Sequence, residues 1–365
     1  YKSLYPSIIR TFKVDPYARI AAKKLKPCDI IDGFDGASFS KKDNILPDII
    51  ATLWQARDVA KCDQNKALSQ AIKIIMNSFY GVLGTPGCRM HDSRLTSSIT
   101  KRSHFIILQT VKLIEAEGYE VIYGDTDSVF VSLQKACDNQ KAIIIGNRLM
   151  AIVNQYWRKT LEQEHGLPSY LEMEFETHFN QFFMPTIRGS EQGSKKRYAG
   201  LIEDDKGNRV IHYKGLETVR TDWTDLAKTF QQKLYQLVFD GDAYEDYILL
   251  TIELLLKGQY DDQLKYRKRL RKPLADYIKN IPPHAQAAIK AELLFNKMNQ
   301  PSRYRNKSWI EYVITMSGAE TLECQKSKLD YEHYIERQLT PIADTILTAV
   351  NSSMEAVTGQ QQNLF

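Results

Sequence analysis

The chain has 365 residues, 43% of them hydrophobic and 25% charged, which is enough to bury a sizeable core across two or three lobes. Five scattered cysteines (Cys28, Cys62, Cys88, Cys137, Cys324) without a Cys-x-x-Cys pair argue against a zinc module and a disulfide scaffold, and fit a reducing cytosol. The net charge of +5 and pI of about 8.7 are only mildly basic, and no apolar run reaches membrane-spanning length, since Tyr247 to Leu256 already carries Glu253.

There is no signal-peptide pattern and no internal repeat, and the first residue is Tyr1 instead of methionine, so the chain reads as a piece of a longer protein. Tyr1 to Arg10 is ordered-looking, with Pro6 ending a strand or opening a helix. The lysine-rich, poorly periodic residues 23–44 read as a surface excursion. Pro47 suits the first turn of a helix running to about Cys62. After a turn at Asp63-Gln64-Asn65, a second helix spans about Lys66 to Tyr80. Leu68, Ala71, Ile72, Ile75 and Phe79 form its apolar face, and Gly81 and Gly84 close it. The pair makes an antiparallel helical hairpin. Arg57 and Lys61 share a face of the first helix, as do Lys73, Asn77 and Tyr80 on the second. With the turn centred on Asn65, Arg57 and Lys73 stand level. Facing cations repel unless an anion fills the gap, whereas a solvated polar face needs no ligand.

A helix from about Ser97 to Glu117 ends at Gly118 and leads into Tyr123-Gly124-Asp125-Thr126-Asp127-Ser128. Apolar residues on both sides, Val121 and Ile122 before and Val129 to Val131 after, make this break a β-hairpin tip. Asp125 and Asp127 repel one another there, and a divalent cation such as Mg²⁺ would reconcile them. For the motif in isolation, a polar turn with two solvated aspartates is the alternative. A helix at about Asp138 to Glu164 follows, and Leu171 to Phe183 is strand-like and aromatic. A loop from Arg188 to Ser194 enters Lys195-Lys196-Arg197-Tyr198-Ala199-Gly200, which opens a hairpin turning at Asp205-Lys206-Gly207-Asn208. Beyond Trp223 the pattern is mostly helical, with a basic block at Tyr266 to Lys272 and a helix opened by Pro282-Pro283. A strand-like Trp309 to Met316, a long helix from Tyr331 to Val350 and a polar, fraying tail follow. The clusters at 195–197 and 266–272 concentrate positive charge as a polyanion partner requires.

Four stretches stand in a telling order: Ser3-Leu4-Tyr5-Pro6-Ser7-Ile8, then Lys73-x-x-x-Asn77-Ser78-x-Tyr80-Gly81, then the Asp125–Asp127 hairpin, then Lys195-Lys196-Arg197-Tyr198. This order resembles the family B DNA polymerases over nearly the whole chain. The resemblance implies an α+β fold of right-hand architecture. Its antiparallel-sheet palm would be 1–46 and 82–222, its helical-hairpin fingers 47–81, its mostly helical thumb 223–353, and its tail 354–365. It implies template-directed nucleotidyl transfer from a dNTP to a primer 3′ end with two Mg²⁺ ions, in DNA replication and repair. Asp125 and Asp127, with Tyr1 beside them, would line the metal site. Ser3, Leu4, Tyr5, Arg57, Lys61, Lys73, Asn77 and Tyr80 would bind the nucleotide, Tyr5 gating against a 2′-hydroxyl. Gly81, Lys195, Lys196, Arg197, Tyr198, Arg267, Lys268 and Arg269 would contact primer–template DNA without reading sequence. Gln361, Leu364 and Phe365 would dock on a sliding clamp as a short apolar anchor. The implied location is the bacterial cytoplasm, at the nucleoid, with no membrane partner.

Two departures stand out. The family carries an aspartate directly before the residue matching Tyr1, and amino-terminal and exonuclease domains upstream. The 365 residues are therefore expected to lack one catalytic carboxylate and to extend primers poorly by themselves. Two other readings, a non-catalytic primer–template scaffold and a metal-dependent nuclease, share parts of this set. A scaffold has no use for Asp127, Lys73 and Tyr5, and a nuclease none for the Arg57 and Lys73 grip.

Overall fold

The computed structural model describes residues 1–133, 137–185, 196–204, 206–220, 222–304 and 307–362, side chains excepted at 360–362. They form two compact units, Tyr1–His178 and Phe179–Phe365. The fold class is α+β: helices with small antiparallel sheets.

In the first unit, Tyr1 to Ser3 lead through a turn into α1 (Leu4–Phe12), so Pro6 stands in the opening of a helix and does not end a strand. Asp15 caps α2 (Pro16–Ala22) by accepting from the Ala18 amide at 2.6 Å, with Pro16 in the first turn. Residues 23–44 are more than a surface excursion. A short hairpin, β1 (Ile30–Asp32) with β2 (Ser38–Ser40), puts Ile31 and Phe39 into the core. The helical hairpin forms as expected, α3 (Leu46–Cys62) and α4 (Lys66–Leu83). Gly81 lies inside α4, and Gly84 is the cap residue. Its buried face is Ile72, Met76 and Leu83, while Leu68, Ala71 and Ile75 are exposed. The apolar count of α4 outruns its buried stripe, which is why periodicity picked the wrong members.

Helix α5 (Ser93–Ala116) starts four residues before the expected position because Asp92, not a later residue, caps it. Its buried residues are Leu95, Ser98, Ile99, Ser103, Ile106, Thr110 and Ile114, apolar but for three hydroxyls. It leads to the expected hairpin, β3 (Glu120–Asp125) with β4 (Ser128–Ser132). Helix α6 (Asn139–His165), capped by Asp138, buries Leu149, Val153, Trp157 and Leu161. Gly146 in its middle accommodates the ring of Phe175: a Cβ there would stand 2.2 Å from a ring carbon. Residues 167–180 run without regular structure, so only the last three of the expected 171–183 strand pair in a sheet.

In the second unit, β5 (Gln181–Phe183), β6 (Tyr198–Glu203) and β7 (Arg209–Lys214) form one antiparallel sheet. The turn between β6 and β7 is held by the Asp204 carboxylate, which accepts from the amides of Lys206 and Asn208. The loop expected at 188–194 lies outside the described residues. Helices α7 (Asp225–Asp240) and α8 (Glu245–Leu256) follow. Within the basic block, Tyr266 to Arg269 then form a strand, β8 (Tyr266–Arg269). After α9 (Pro283–Lys297), β9 (Trp309–Thr315) and β10 (Gly318–Thr321) complete a second sheet in the order β10-β9-β8. Tyr266 stacks between Tyr312 and Tyr334, at 5.2 and 5.8 Å. The long helix expected at 331–350 is broken into α10 (Tyr331–Tyr334), a π-turn at Ile335–Leu339, α11 (Thr340–Leu347) and a 3₁₀ turn. Pro341 explains the break, because it has no N–H to donate back along a regular helix. Just before the last residues, α12 (Met354–Gln362) buries Met354 and Val357. All five cysteines are free.

One carboxylate joins the beginnings of two helices. Ile45, at the N-cap of α3, offers no side-chain acceptor, and the amides of Ile45 and Leu46 donate instead to Asp15 at 3.3 and 2.8 Å. Asp15 is 2% exposed, so removing it strands buried donors. Asp15→Ala should lower the unfolding free energy of the first unit by about 2–4 kcal/mol, read from the urea midpoint of helical circular dichroism. A loss below about 0.5 kcal/mol would show the caps to be independent of Asp15.

Candidate active site

The hairpin tip is tied at each of its carbonyls. The Asp125 carbonyl accepts from the Asp127 amide and from Ser128 Oγ at 3.3 Å. The Thr126 carbonyl accepts from Ser103 Oγ at 3.2 Å, and the Asp127 carbonyl from the Tyr1 nitrogen. Thr126 has φ of 43°, a left-handed conformation that a β-branched residue holds only when its surroundings impose it. Its hydroxyl donates to Asp125 Oδ1 at 2.9 Å. Tyr1 is anchored at its other end: Trp157 Nε1 donates to its hydroxyl at 3.0 Å, and Thr110 Oγ1 lies 2.5 Å away. Burial pushes the Tyr1 phenol up to about 12.

Charge accumulates around this turn. Asp127 keeps solvent contact, yet desolvation by the atoms packed about its carboxyl lifts its pKa above the usual carboxylate range. The neighbouring Asp125 and Glu176 add to the rise, against the opposing Tyr1 nitrogen. Tyr5 is half-buried, with its ring centroid 4.8 Å from that of Tyr80. Burial first, then Tyr80, Asp127 and Asp125, raise its phenol. Ser3 is also left-handed, with φ of 47°, and stands at the N-cap of α1 without a side-chain capping bond. The amides of Leu4 and Tyr5 open that helix, where N–H groups lack intrahelical acceptors and favour an anion. Arg57 Nη1 reaches Ser3 Oγ at 3.4 Å, while its buried Nε has no hydrogen-bond partner.

The structure thus brings together Tyr1, Ser3, Leu4, Tyr5, Arg57, Tyr80, Asp125 and Asp127. Lys61, Lys73 and Asn77 are exposed on the helical hairpin and make no recorded contact with that group, Lys61 pairing with Asp58 at 3.8 Å. Gly81 is exposed, with open space around it. In the second unit, Lys196 is exposed, Tyr198 packs against Phe179 and Phe182, and Arg197 is ion-paired with Glu217. Arg267, Lys268 and Arg269 are exposed on β8. Arg267 lies 4.8 Å over the Trp309 ring and 3.5 Å from Glu311. Lys195, Leu364 and Phe365 lie outside the described residues, as does the side chain of Gln361.

Sequence reasoning missed Ser103 and the glutamates. In Glu172-Met173-Glu174-Phe175-Glu176, acidic and apolar residues alternate, and the three glutamates are exposed where Met173 is buried. Lys2 sits between Glu172 and Glu174, at 3.4 Å from each. The alternation was the available signal, obscured because the segment joins no sheet. As for Mg²⁺, the two aspartates supply hard oxygen donors, and their crowding with Glu176 favours a cation. The donor set fits the ion in kind, although no group of three or more metal-ligating side chains converges among the described residues.

Comparisons with known proteins agree on one family. Residues 1–350 match the family model described as DNA polymerase family B. The chain is 51% identical over 366 residues to a protein of Escherichia coli (strain K12) named DNA polymerase II, covering 100% of the chain and 46% of that relative. It is 26% identical to the DNA polymerase of Thermococcus gorgonarius, over 96% of the chain and 44% of the relative. It is 30% identical to DNA polymerase 2 of Aeropyrum pernix, over 76% of the chain and 31% of the relative. The chain spans less than half the length of these curated relatives.

Ser103→Ala removes the side-chain bond to the Thr126 carbonyl. Amide hydrogen exchange at Asp127 should quicken by an amount equal to about 0.5–1.5 kcal/mol of local protection, with the rest of α5 unchanged. Unaltered exchange would mean that the turn holds its shape without α5.

Proposed function

Because the chain belongs to DNA polymerase family B, we propose that it performs template-directed DNA synthesis, joining a dNTP to a primer 3′ end. The observation carrying this reading is the convergence of a carboxylate turn, a stacked tyrosine pair and a half-satisfied arginine on the opening of one helix. By this reading the protein is a right hand. The fingers are 47–81, the palm 1–46 and 82–222, the thumb 223–353, and 354–365 is a tail.

Asp125 and Asp127 would hold Mg²⁺, with Tyr1 lining the site. Two such ions, when bound, offset phosphate charge and favour the primer hydroxyl as nucleophile. The chain's own residues do the placing. The amides opening α1 and the Arg57 guanidinium present donors to a triphosphate, and the buried Nε of Arg57 gains the acceptor it lacks. Lys61, Lys73 and Asn77 close on the phosphates from the fingers, where incoming charge draws them, and Tyr80 and Gly81 border the new base pair. Tyr5, fixed against Tyr80, leaves room for a deoxyribose and none for a 2′-hydroxyl. Lys195, Lys196 and Tyr198, with Arg267, Lys268 and Arg269, would follow duplex backbone.

The reading extends to a bacterial cytoplasmic setting at the nucleoid. It also takes Gln361, Leu364 and Phe365 as a sliding-clamp anchor, on the strength of the resemblance alone. No helix among the described residues is long and apolar enough to cross a membrane.

Single-nucleotide incorporation by the full-length protein on primer–template with Mg²⁺ tests the whole reading; binding without extension by that protein, or degradation of the DNA, would reject it. Within that assay Lys73→Ala should cost about 2–4 kcal/mol in kcat/KM for dNTP, and unchanged kinetics would remove Lys73 from the grip. Tyr5→Ala should raise ribonucleotide use relative to deoxyribonucleotide at least about tenfold, equal to about 1.4 kcal/mol of lost discrimination. A variant as selective as its parent would place the gate elsewhere.

A further inference from the structure

One nitrogen of the Arg197 guanidinium is held by its own protein, while its buried Nε has no hydrogen-bond partner. Its Nη2 donates to Glu217 Oε1, and the two side chains are 37% and 10% exposed. The other Glu217 oxygen accepts from Gln231 Nε2 at 2.7 Å, and Gln231 Oε1 accepts from the Thr218 amide at 2.8 Å. Gln231 is fully buried on α7. Tyr235, one turn further along α7, is 1% exposed, and its phenol is pushed up by burial and by Glu217. The chain of bonds therefore runs from the open end of the β6–β7 hairpin, through the 3₁₀ turn Glu217–Val219, into α7.

The backbone is shaped to the same end. Tyr198 pairs with Lys214, the last residue of β7, and Gly215 just beyond it faces the Lys196–Arg197 segment. Gly215 has φ of 62°, and a Cβ there would stand 2.2 Å from the Lys196 carbonyl. Only glycine permits both that conformation and that approach. Arg267 makes a useful contrast: its carboxylate partner Glu311 is 54% exposed, and a phosphate could replace it at little loss. Withdrawing Arg197 to a phosphate would leave the carboxylate of Glu217 buried without a cation, which is strongly unfavourable.

We propose that Arg197 is a positioning residue, an internal strut whose pairing with Glu217 holds the β6–β7 hairpin against α7 for duplex binding, and that it does not itself contact phosphate. This rests on the reading that the chain binds primer–template.

The test measures primer–template affinity by fluorescence anisotropy across a salt series. Glu217→Gln removes a negative charge, so if Arg197 were a phosphate ligand the change would release it and tighten binding. A strut predicts the opposite sign, weakening by about five- to tenfold. Arg197→Met should weaken binding with an unchanged salt slope, whereas loss of a phosphate contact lowers the slope by about 0.9. The double variant should be no worse than either single one. Near-ultraviolet circular dichroism identifies any variant that fails to fold, and if Arg197→Met is one, the sign of the Glu217→Gln effect decides. Tighter or unchanged binding by Glu217→Gln, a reduced slope for Arg197→Met, or additive losses would each overturn the strut. Wild-type protein that does not bind primer–template would overturn the polymerase reading, and the strut with it.

Discussion

A hydroxyl buried in an apolar stripe has to find a partner, and on α5 that requirement decides where three other segments can lie. Ser98, Ser103 and Thr110 are the polar members of the face that packs α5 into the first core. Thr110 lies against the phenol of Tyr1, and Ser103 bonds the carbonyl between the two aspartates. Ser98, 2% exposed on the same helix, accepts from the Phe34 amide and so fixes the β1–β2 turn as well. Each contact meets the hydrogen-bonding demand of a buried group, which costs more when unmet than it gains when met. Site geometry thereby becomes a consequence of core packing. Displacing α5 by a turn would leave three segments without their partners at once.

The groups gathered around the carboxylate turn are, by contrast, incompletely satisfied. Ser3 and Thr126 hold left-handed backbones, Arg57 has a buried donor without an acceptor, and Asp127 stands in the field of two other carboxylates. A folded chain tolerates such features when a surrounding scaffold over-determines them. The scaffold here is the α5 stripe with the Trp157–Tyr1 bond. The unsatisfied groups are complementary in kind to an anion beside Ser3 and a cation beside Asp127, so ligand charge would complete interactions that the protein leaves open.

Much of this was legible in the residues. The α3–α4 hairpin, the Asp125–Asp127 turn, the β6–β7 hairpin and α9 were all placed by local signals: Pro47, Asp63-Gln64-Asn65, Gly124 and Pro282-Pro283. Errors came where a long-range partner overrides local pattern. Pro47 placed the start of α3, but the amides there are capped by Asp15, thirty-one residues from Leu46, which no local motif announces. Residues 23–44 looked like solvent-facing chain because their lysines outnumber Ile31 and Phe39, the two side chains that matter for packing. The exposed apolar residues of α4 misled the periodicity, and β8 reads as a charged surface whose strand character depends on its pairing with β9. Arg197 and Lys196 are neighbours of the same charge class, and only the fold distinguishes a paired guanidinium from an exposed lysine.

The contact of Gly146 with Phe175 shows what the carboxylates ask of the helix beside them. Glycine in the middle of a helix sacrifices about 1 kcal/mol relative to alanine. At this position alanine has no room, because its methyl group would lie inside the ring of Phe175. Phe175 stands between Glu174 and Glu176, so the missing methyl lets that acidic segment lie close against α6. A thermostabilising design that scores α6 for helix propensity alone would choose this glycine first. The gain in the helix would then be taken from the spacing of the glutamates, and a successful redesign would have to reduce the ring at 175 in the same step.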